Sequence, residues 1–294
     1  MKKTVTAWIL ALVLLCVGAF ALAEEPVVQD RAGNPITLPE TVERVVSLAP
    51  SITQVIADLG LGDTLVAVDQ YSQGIEGVPE DVLTFDIMTP DAEQIIALDP
   101  DLVLLSGMTL SDGSDPLAQL TELGICVAYV PSSESIDAIL EDNLFIGEIL
   151  GNPEGAQALN DRLTEAIEAL RVETETPRRV YFEISPAPYL YSFGTGTFLN
   201  EMIALLGGVN IFADQTGWLS VSEEAVIAAD PEIIFTSAEW AEDPVGEILA
   251  RDGWADVTAV REGAVYLIDE DAASQPNHRI VLALEEMAEA FADQ

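Results

Sequence analysis

Histidine, cysteine and lysine are almost missing from this sequence of 294 residues: it holds one histidine (His278), two cysteines (Cys16 and Cys126) and two lysines (Lys2 and Lys3). Two thiols and one imidazole leave too few ligands for a dedicated His/Cys metal centre. Basic residues number 11 against 51 Asp plus Glu, a formal charge of −40. A field of that sign repels phosphate backbones and anionic lipid, which excludes nucleic-acid binding and an electrostatic membrane clamp. Catalytic signatures are missing too: there is no Gly-x-Ser-x-Gly elbow, no phosphate-binding Gly-x-x-x-x-Gly-Lys loop and no Cys/His pair, and Gly194-Thr195-Gly196 is too short a glycine pattern to count. Carboxylates alone would have to do all acid/base work, so no enzyme is expected. What the chain does have is apolar material, 49% of its residues, enough at this length for one or two full cores.

Part of that apolar excess lies at the start. Met1-Lys2-Lys3 is a short positive segment, Ala7 to Ala19 an unbroken apolar run, and Ala21-Leu22-Ala23 a small-x-small cleavage pattern before Glu24-Glu25. Residues 1–23 read as a secretory signal peptide, too short for the roughly 20 apolar residues of a membrane span. Export to a periplasm or cell surface follows. A lipid-modified Cys16 is the alternative, disfavoured because Leu15 stands where lipoprotein signals carry a small residue. Without the leader the chain keeps 9 Arg, no Lys and a formal charge of −42. Cys126 is then the sole thiol, so no intrachain disulfide forms; within Gly124 to Val130 it reads as a packed thiol on a buried strand.

Short β-branched runs alternate with helical segments, the pattern of parallel sheets with crossover helices. Strands are expected at Arg44 to Leu48, Leu65 to Val68, Leu102 to Leu105, Val127 to Val130, Val180 to Ile184, Ile233 to Thr236 and Val265 to Ile268. Helical periodicity marks Ile52 to Leu59, Pro116 to Leu123, Phe198 to Leu206 and His278 to Phe291. Two successive helices, Ser133 to Leu150 and Pro153 to Arg171, break the alternation; the second has Asn152 as N-cap and one apolar stripe, Leu159, Leu163, Ile167 and Leu170.

A repeat divides the chain. Asp91 to Ser106 aligns without a gap on Ser222 to Ser237, six of sixteen positions being identical. Each copy is a helix starting beside a glutamate (Glu93, Glu224), an Asp-Pro turn and a buried strand. Arg44 to Pro50 and Arg179 to Pro186 form a second similar pair. The fold class is therefore α/β, two Rossmann-like lobes with parallel-rich sheets, joined by a long helical connector, with a ligand cleft between them: signal peptide 1–23, first lobe 24–150, connecting helix 151–175, second lobe 176–294.

Ligands of open α/β sheets bind at the carboxyl ends of strands. That places Ala49-Pro50-Ser51, Asp69-Gln70-Tyr71 and Asp86-Ile87-Met88 at the cleft from the first lobe. Pro186 to Thr197 with Tyr189, Tyr191 and Phe193, Gly217-Trp218-Leu219, and Asp269 to Ser274 with Asp271 line it from the second. Aromatics gathered in these loops suit stacking on a flat, largely apolar ligand.

Four segments carry a family resemblance: Arg44-Val-Val-Ser-Leu-Ala-Pro-Ser-Ile-Thr, Glu93-x-Ile-Ile-Ala-Leu-x-Pro-Asp-Leu-Val, Gly196-Thr-Phe-Leu-Asn-Glu-Met-Ile-Ala-Leu-Leu-Gly-Gly-Val-Asn210 and Trp218-x-x-Val-Ser-x-Glu224. Over roughly Arg31 to Phe291 the chain resembles the iron-siderophore, haem and cobalamin binding proteins of bacterial ABC importers. The resemblance implies a monomeric two-lobe solute receptor with small hinge motions. It also implies a permease as partner, engaged through one glutamate on each lobe, here Glu93 and Glu224. The pocket tyrosine, tryptophan and aspartate of cobalamin-binding members match Tyr71, Trp218 and Asp271. A pocket tryptophan of theirs falls on Ile87 and an acidic residue on Ser274, which leaves the ligand open.

Charge narrows it. A tri-anionic ferric catecholate or a haem with two propionates needs clustered basic residues, and few of the nine arginines fall near the cleft loops. A corrinoid or a neutral ferric hydroxamate fits better. Haem stays open through a tyrosinate from Tyr71, Tyr189 or Tyr191, or through His278, which reads as the start of the final helix. An oxyanion receptor of the same type and a two-lobed chelatase are the remaining alternatives. No resident cofactor or metal site is expected; any metal belongs to the ligand.

Overall fold

The computed structural model describes residues 27–110 and 117–293. The signal-peptide reading, Cys16 and the first residue of the expected helix at Pro116 lie outside them. In the first lobe β1 (Val27–Gln29) and β2 (Pro35–Thr37) form an antiparallel pair. There follow β3 (Val45–Leu48), α1 (Pro50–Asp58), β4 (Leu65–Asp69), β5 (Leu83–Phe85), α2 (Ala92–Ala97), β6 (Leu102–Leu105), α3 (Ala118–Glu122) and β7 (Cys126–Tyr129). The five later strands make a parallel sheet in the order β5-β4-β3-β6-β7. Every residue of β3 and β6 is buried, as a sheet covered on both faces requires. Cys126 is a buried free thiol, pushed up to about 11 by that burial and by Asp30.

After α4 (Ile136–Ile149) and α5 (Pro153–Leu170) the second lobe repeats the plan with β8 (Arg178–Glu183), β9 (Tyr191–Phe193), α6 (Phe198–Leu205), β10 (Gly208–Asn210), β11 (Trp218–Ser220), α7 (Glu223–Ala229) and β12 (Ile233–Thr236). It closes with α8 (Pro244–Ala250), α9 (Thr258–Glu262), β13 (Val265–Leu267), α10 (Glu270–Ser274) and α11 (Ile280–Ala292). Strands β10-β8-β12-β13 are parallel, and β9 with β11 forms a separate antiparallel ribbon. The two-lobe α/β expectation holds. The short strands β1, β2, β5, β9, β10 and β11 carry three residues each, too few for a period to show in sequence.

The stripe expected on α5 is shared between two cores: Leu159 packs with the first lobe, Leu163 and Ile167 with the second. Helix α4 does the same in reverse, Ile136 and Ile139 joining the second core and Phe145, Ile146 and Ile149 the first. The bridge between lobes is thus an antiparallel helix pair in which α4 shares the role read into 151–175. Its register is pinned where Asn143 Nδ2 donates to Asn160 Oδ1 at 2.9 Å and Asn160 Nδ2 donates to the Leu140 carbonyl at 2.7 Å.

The repeat is physical. Asp91 and Ser222 cap α2 and α7 by accepting the third-residue N–H. Asp99 and Asp230 both take positive φ, 49° and 48°, before a proline, a conformation that Asp tolerates better than most side chains. Asp101 Oδ2 accepts the Arg44 N–H and Glu232 Oε2 the Arg179 N–H, each at 2.9 Å, while both guanidiniums bond carbonyls of the preceding turn. One unit, used twice, sets the strand beside β3 in one sheet and beside β8 in the other.

Candidate functional site

Because both sheets are parallel, each strand ends on the same side of its lobe, and its following loop presents side chains there. Pro50 is the first residue of α1, directly after β3, and is half-buried. Strand β4 ends on Asp69, fully buried, whose Oδ1 accepts the Tyr71 N–H at 2.9 Å and whose other oxygen accepts the Ser72 hydroxyl. This Asx turn drives the Tyr71 ring outward, 64% exposed. A like turn at Asp86, accepting from Met88 and Thr89, leaves Met88 exposed. Ile87, read from the sequence as cleft lining, is buried in the lobe, because the turn points its neighbour out and therefore itself in.

In the second lobe Tyr189, 83% exposed, and Tyr191 wall a cavity of about 400 Å³ with Ser185, Pro188, Leu190 and Ser220. Trp218 stands on β11 beside this wall: β11 pairs with β9, and the Trp218 ring meets Phe193 edge-on at 6.0 Å. Phe193, expected at the cleft, is instead fully buried in the core of the second lobe. Gly194 ends the ribbon at a close backbone approach, where a Cβ would lie 2.2 Å from the Gln215 carbonyl oxygen. The Gly194-Thr195-Gly196 stretch is therefore a packing feature. Pro50 and Tyr71 stand on the other sheet, and among the described residues the Tyr71 ring stacks on none of these aromatics. Asp271, exposed in the first turn of α10, lies at a small crevice shared with Gln54 of α1.

Two exposed residues escape a sequence reading: Met108 after β6 and Trp240, 65% exposed, after β12. The repeat contains their signal, since both follow its last residue, Ser106 or Ser237, by a few positions. Trp240 belongs with the last cleft loop, which is tied to it where the Glu270 N–H donates to Glu239 Oε2 at 3.1 Å.

Apart from Arg279, which lines the Asp271 crevice, arginine stays away from these loops. Arg44, Arg178 and Arg179 sit at the opposite, amino ends of strands, and Arg251 is buried against Glu183 and Glu247. Arg279 is spent between the lobes, donating Nε and Nη2 to the two oxygens of Asp58 at 2.8 and 2.9 Å. His278 does not begin the last helix, which starts at Ile280; its Nε2 lies 2.8 Å from Asp58 Oδ2, and Asn277 Nδ2 donates to the Ser51 carbonyl. Ser51, Gln54 and Asp58, spaced three and four apart, form one face of α1 against the second lobe.

Partial burial opposes a charge on Asp58, but hydrogen bonds from His278 and Arg279 outweigh it and hold the carboxyl well below the usual carboxylate range. A depressed pKa contributes stability that is fully present above about pH 4 and fades as pH falls. The melting-temperature gap between wild type and Asp58→Asn is expected to be widest near neutrality and to shrink in acid. A gap independent of pH would remove Asp58 from this role.

Glu93 and Glu224 are each the second residue of their helix, one per lobe, and both are exposed. Exposed aromatic and thioether groups thus stand on strand-end loops of both lobes, and each lobe carries an exposed carboxylate in the first turn of a matching helix.

Residues 45–272 match the periplasmic binding protein family. The chain is 32% identical over 275 residues to the ABC transporter substrate-binding lipoprotein YvrC of Bacillus subtilis, covering 90% of this chain and 85% of that one. It is 30% identical to the vitamin B12-binding protein of Vibrio cholerae, covering 85% and 89%. Among solved structures, the periplasmic heme-binding protein RhuT of Roseiflexus superposes with a TM-score of 0.74 at 28% identity, covering 86% and 98%. The chain belongs to the periplasmic binding protein family, as a substrate-binding protein of the ABC importer type.

Proposed function

We propose that the protein captures a neutral or cationic metal chelate, a corrinoid or an uncharged ferric chelate, between its lobes and hands it to a permease through Glu93 and Glu224. The observation that carries this is the joint character of the strand-end loops: exposed Tyr71, Tyr189, Tyr191 and Trp218, acidic Asp271, and near them Arg279, already bonded to Asp58. Aromatic faces gain from a flat partner, whereas an anionic ligand buried there would lack counter-charge. The vitamin B12-binding relative supports the corrinoid choice. In this reading the protein acts as a monomer outside the cytoplasmic membrane, exported by residues 1–23 or anchored at Cys16, and catalyses nothing. Haem is the second reading, favoured by three exposed tyrosines able to ligate iron.

Titration with cyanocobalamin, cobinamide, ferrichrome, a ferric catecholate and haemin, followed by melting temperature and tryptophan emission, separates these. A corrinoid or ferrichrome should raise the melting temperature in a concentration-dependent way and quench emission. Trp218→Ala should weaken that ligand about tenfold or more, the loss of roughly 1–3 kcal/mol of stacking and area. A response to haemin alone would select the second reading, and unchanged affinity in Trp218→Ala would remove that ring from the site.

A further inference from the structure

Three parts of the molecule meet around a cavity of about 340 Å³, apart from the strand-end loops: Asp58 at the end of α1, Leu159, Arg162 and Leu163 on α5, and His278 with Arg279 at the approach to α11. Two of the nine arginines and the single histidine of this acidic chain thus converge on one space. We propose that this cavity is a second binding site, for a small monocarboxylate.

Arg162 carries the argument. Its guanidinium makes one long contact, Nε to the Ala158 carbonyl at 3.3 Å, and among the described residues it pairs with no carboxylate. Several other arginines are taken up by carboxylates: Arg31 by Glu141 and Asp142, Arg179 by Asp230 and Glu232, Arg251 by Glu183 and Glu247. A planar fork of donors left facing a cavity matches a carboxylate. Arg279 adds to it, since beyond its two bonds to Asp58 its Nη1 has no bond among the described residues. The charge count limits the guest to one negative charge. Asp58, with Glu76 and Asp269 also acting on it, balances Arg279, which leaves the single charge of Arg162, and a dianion would face Asp58 at short range. Leu159 and Leu163 offer an apolar wall for a short alkyl chain. The walls come from the first lobe, the helical bridge and the second lobe, so an occupant that prefers one lobe angle shifts the balance toward it.

The test measures melting temperature against sodium butyrate, with sodium chloride holding ionic strength constant, for wild type, Arg162→Gln and Arg162→Lys. Wild type should show a saturable rise. Arg162→Gln should need about tenfold more butyrate, the loss of one charge-assisted pair, and Arg162→Lys should fall between because it keeps the charge without the fork. Arg162 is exposed and bonded only to its own helix, so both variants should fold. An equal response in Arg162→Gln, a rise that never saturates, or sulfate matching butyrate at the same ionic strength would each overturn the assignment.

Discussion

Glu93→Arg combined with Glu224→Arg is expected to cut permease-dependent uptake by about a hundredfold or more while leaving ligand affinity within about twofold. Both carboxylates sit in the first turn of a capped helix, where the amino-terminal dipole favours negative charge. The Glu224 carboxyl is held below its ordinary range by its own backbone N–H and by the Ser222 hydroxyl, so it is charged at any neutral pH. In the proposed docking role two such charges, one per lobe, would meet paired cationic pockets and set register and encounter rate. Reversal at these exposed helix starts loses only a solvent-screened dipole interaction, too little to unfold the chain. Uptake by reconstituted transporter and ligand titration on the same preparation decide the matter. Retained uptake would refute the docking role, and lost affinity would move the glutamates to the pocket or to folding.

Arg251→Met is expected to destabilise the second lobe by about 3–5 kcal/mol, because it strands buried acid. The guanidinium donates Nη1 and Nη2 to Glu183 at 2.8 and 2.9 Å and Nε to Glu247 at 3.0 Å. It also stacks over Trp254, 4.4 Å from the ring centre. Burial works against its charge, and the two carboxylates more than compensate, holding it protonated. Its removal leaves Glu183, fully buried at the end of β8, with the Tyr181 hydroxyl as its remaining side-chain donor. The damage should reach the proposed docking surface, since Trp254 Nε1 donates to Glu223 Oε2, the neighbour of Glu224. Urea midpoints at unchanged slope measure the loss. The double variant Glu183→Gln with Arg251→Met should recover most of it, since no unpaired charge then stays buried. A double variant no better than the single one would show that packing on Trp254, and not charge, holds this site.

Much of this was legible without coordinates because it rests on short-range rules. The Asp-Pro turns, the caps at Asp91, Asn152 and Ser222, and the buried runs of β3, β6 and β12 each depend on neighbours a few residues away. The repeat then carried local signals to the scale of a lobe, and Glu93 and Glu224 came with it. Tyr71, Tyr189, Tyr191 and Trp218 were readable as loop aromatics because a strand's carboxyl end is known once the strand is.

Direction within a loop was another matter. Ile87 and Met88 are adjacent and both apolar, and only the Asx turn at Asp86 decides that one enters the core and the other meets solvent. Met108 and Trp240 became visible only when β6 and β12 were seen to end beside the other site loops. Asp58 and His278 are 220 residues apart, and no local preference brings a carboxylate to an imidazole over that distance. Sequence alone determined the α/β lobes, their duplication and the sign of the surface charge, all set by composition and by contacts within a few residues. Tertiary structure decided which arginines were already paired, which face of α1 meets the second lobe, and how two helices share two cores, because each depends on groups that meet only when the lobes pack.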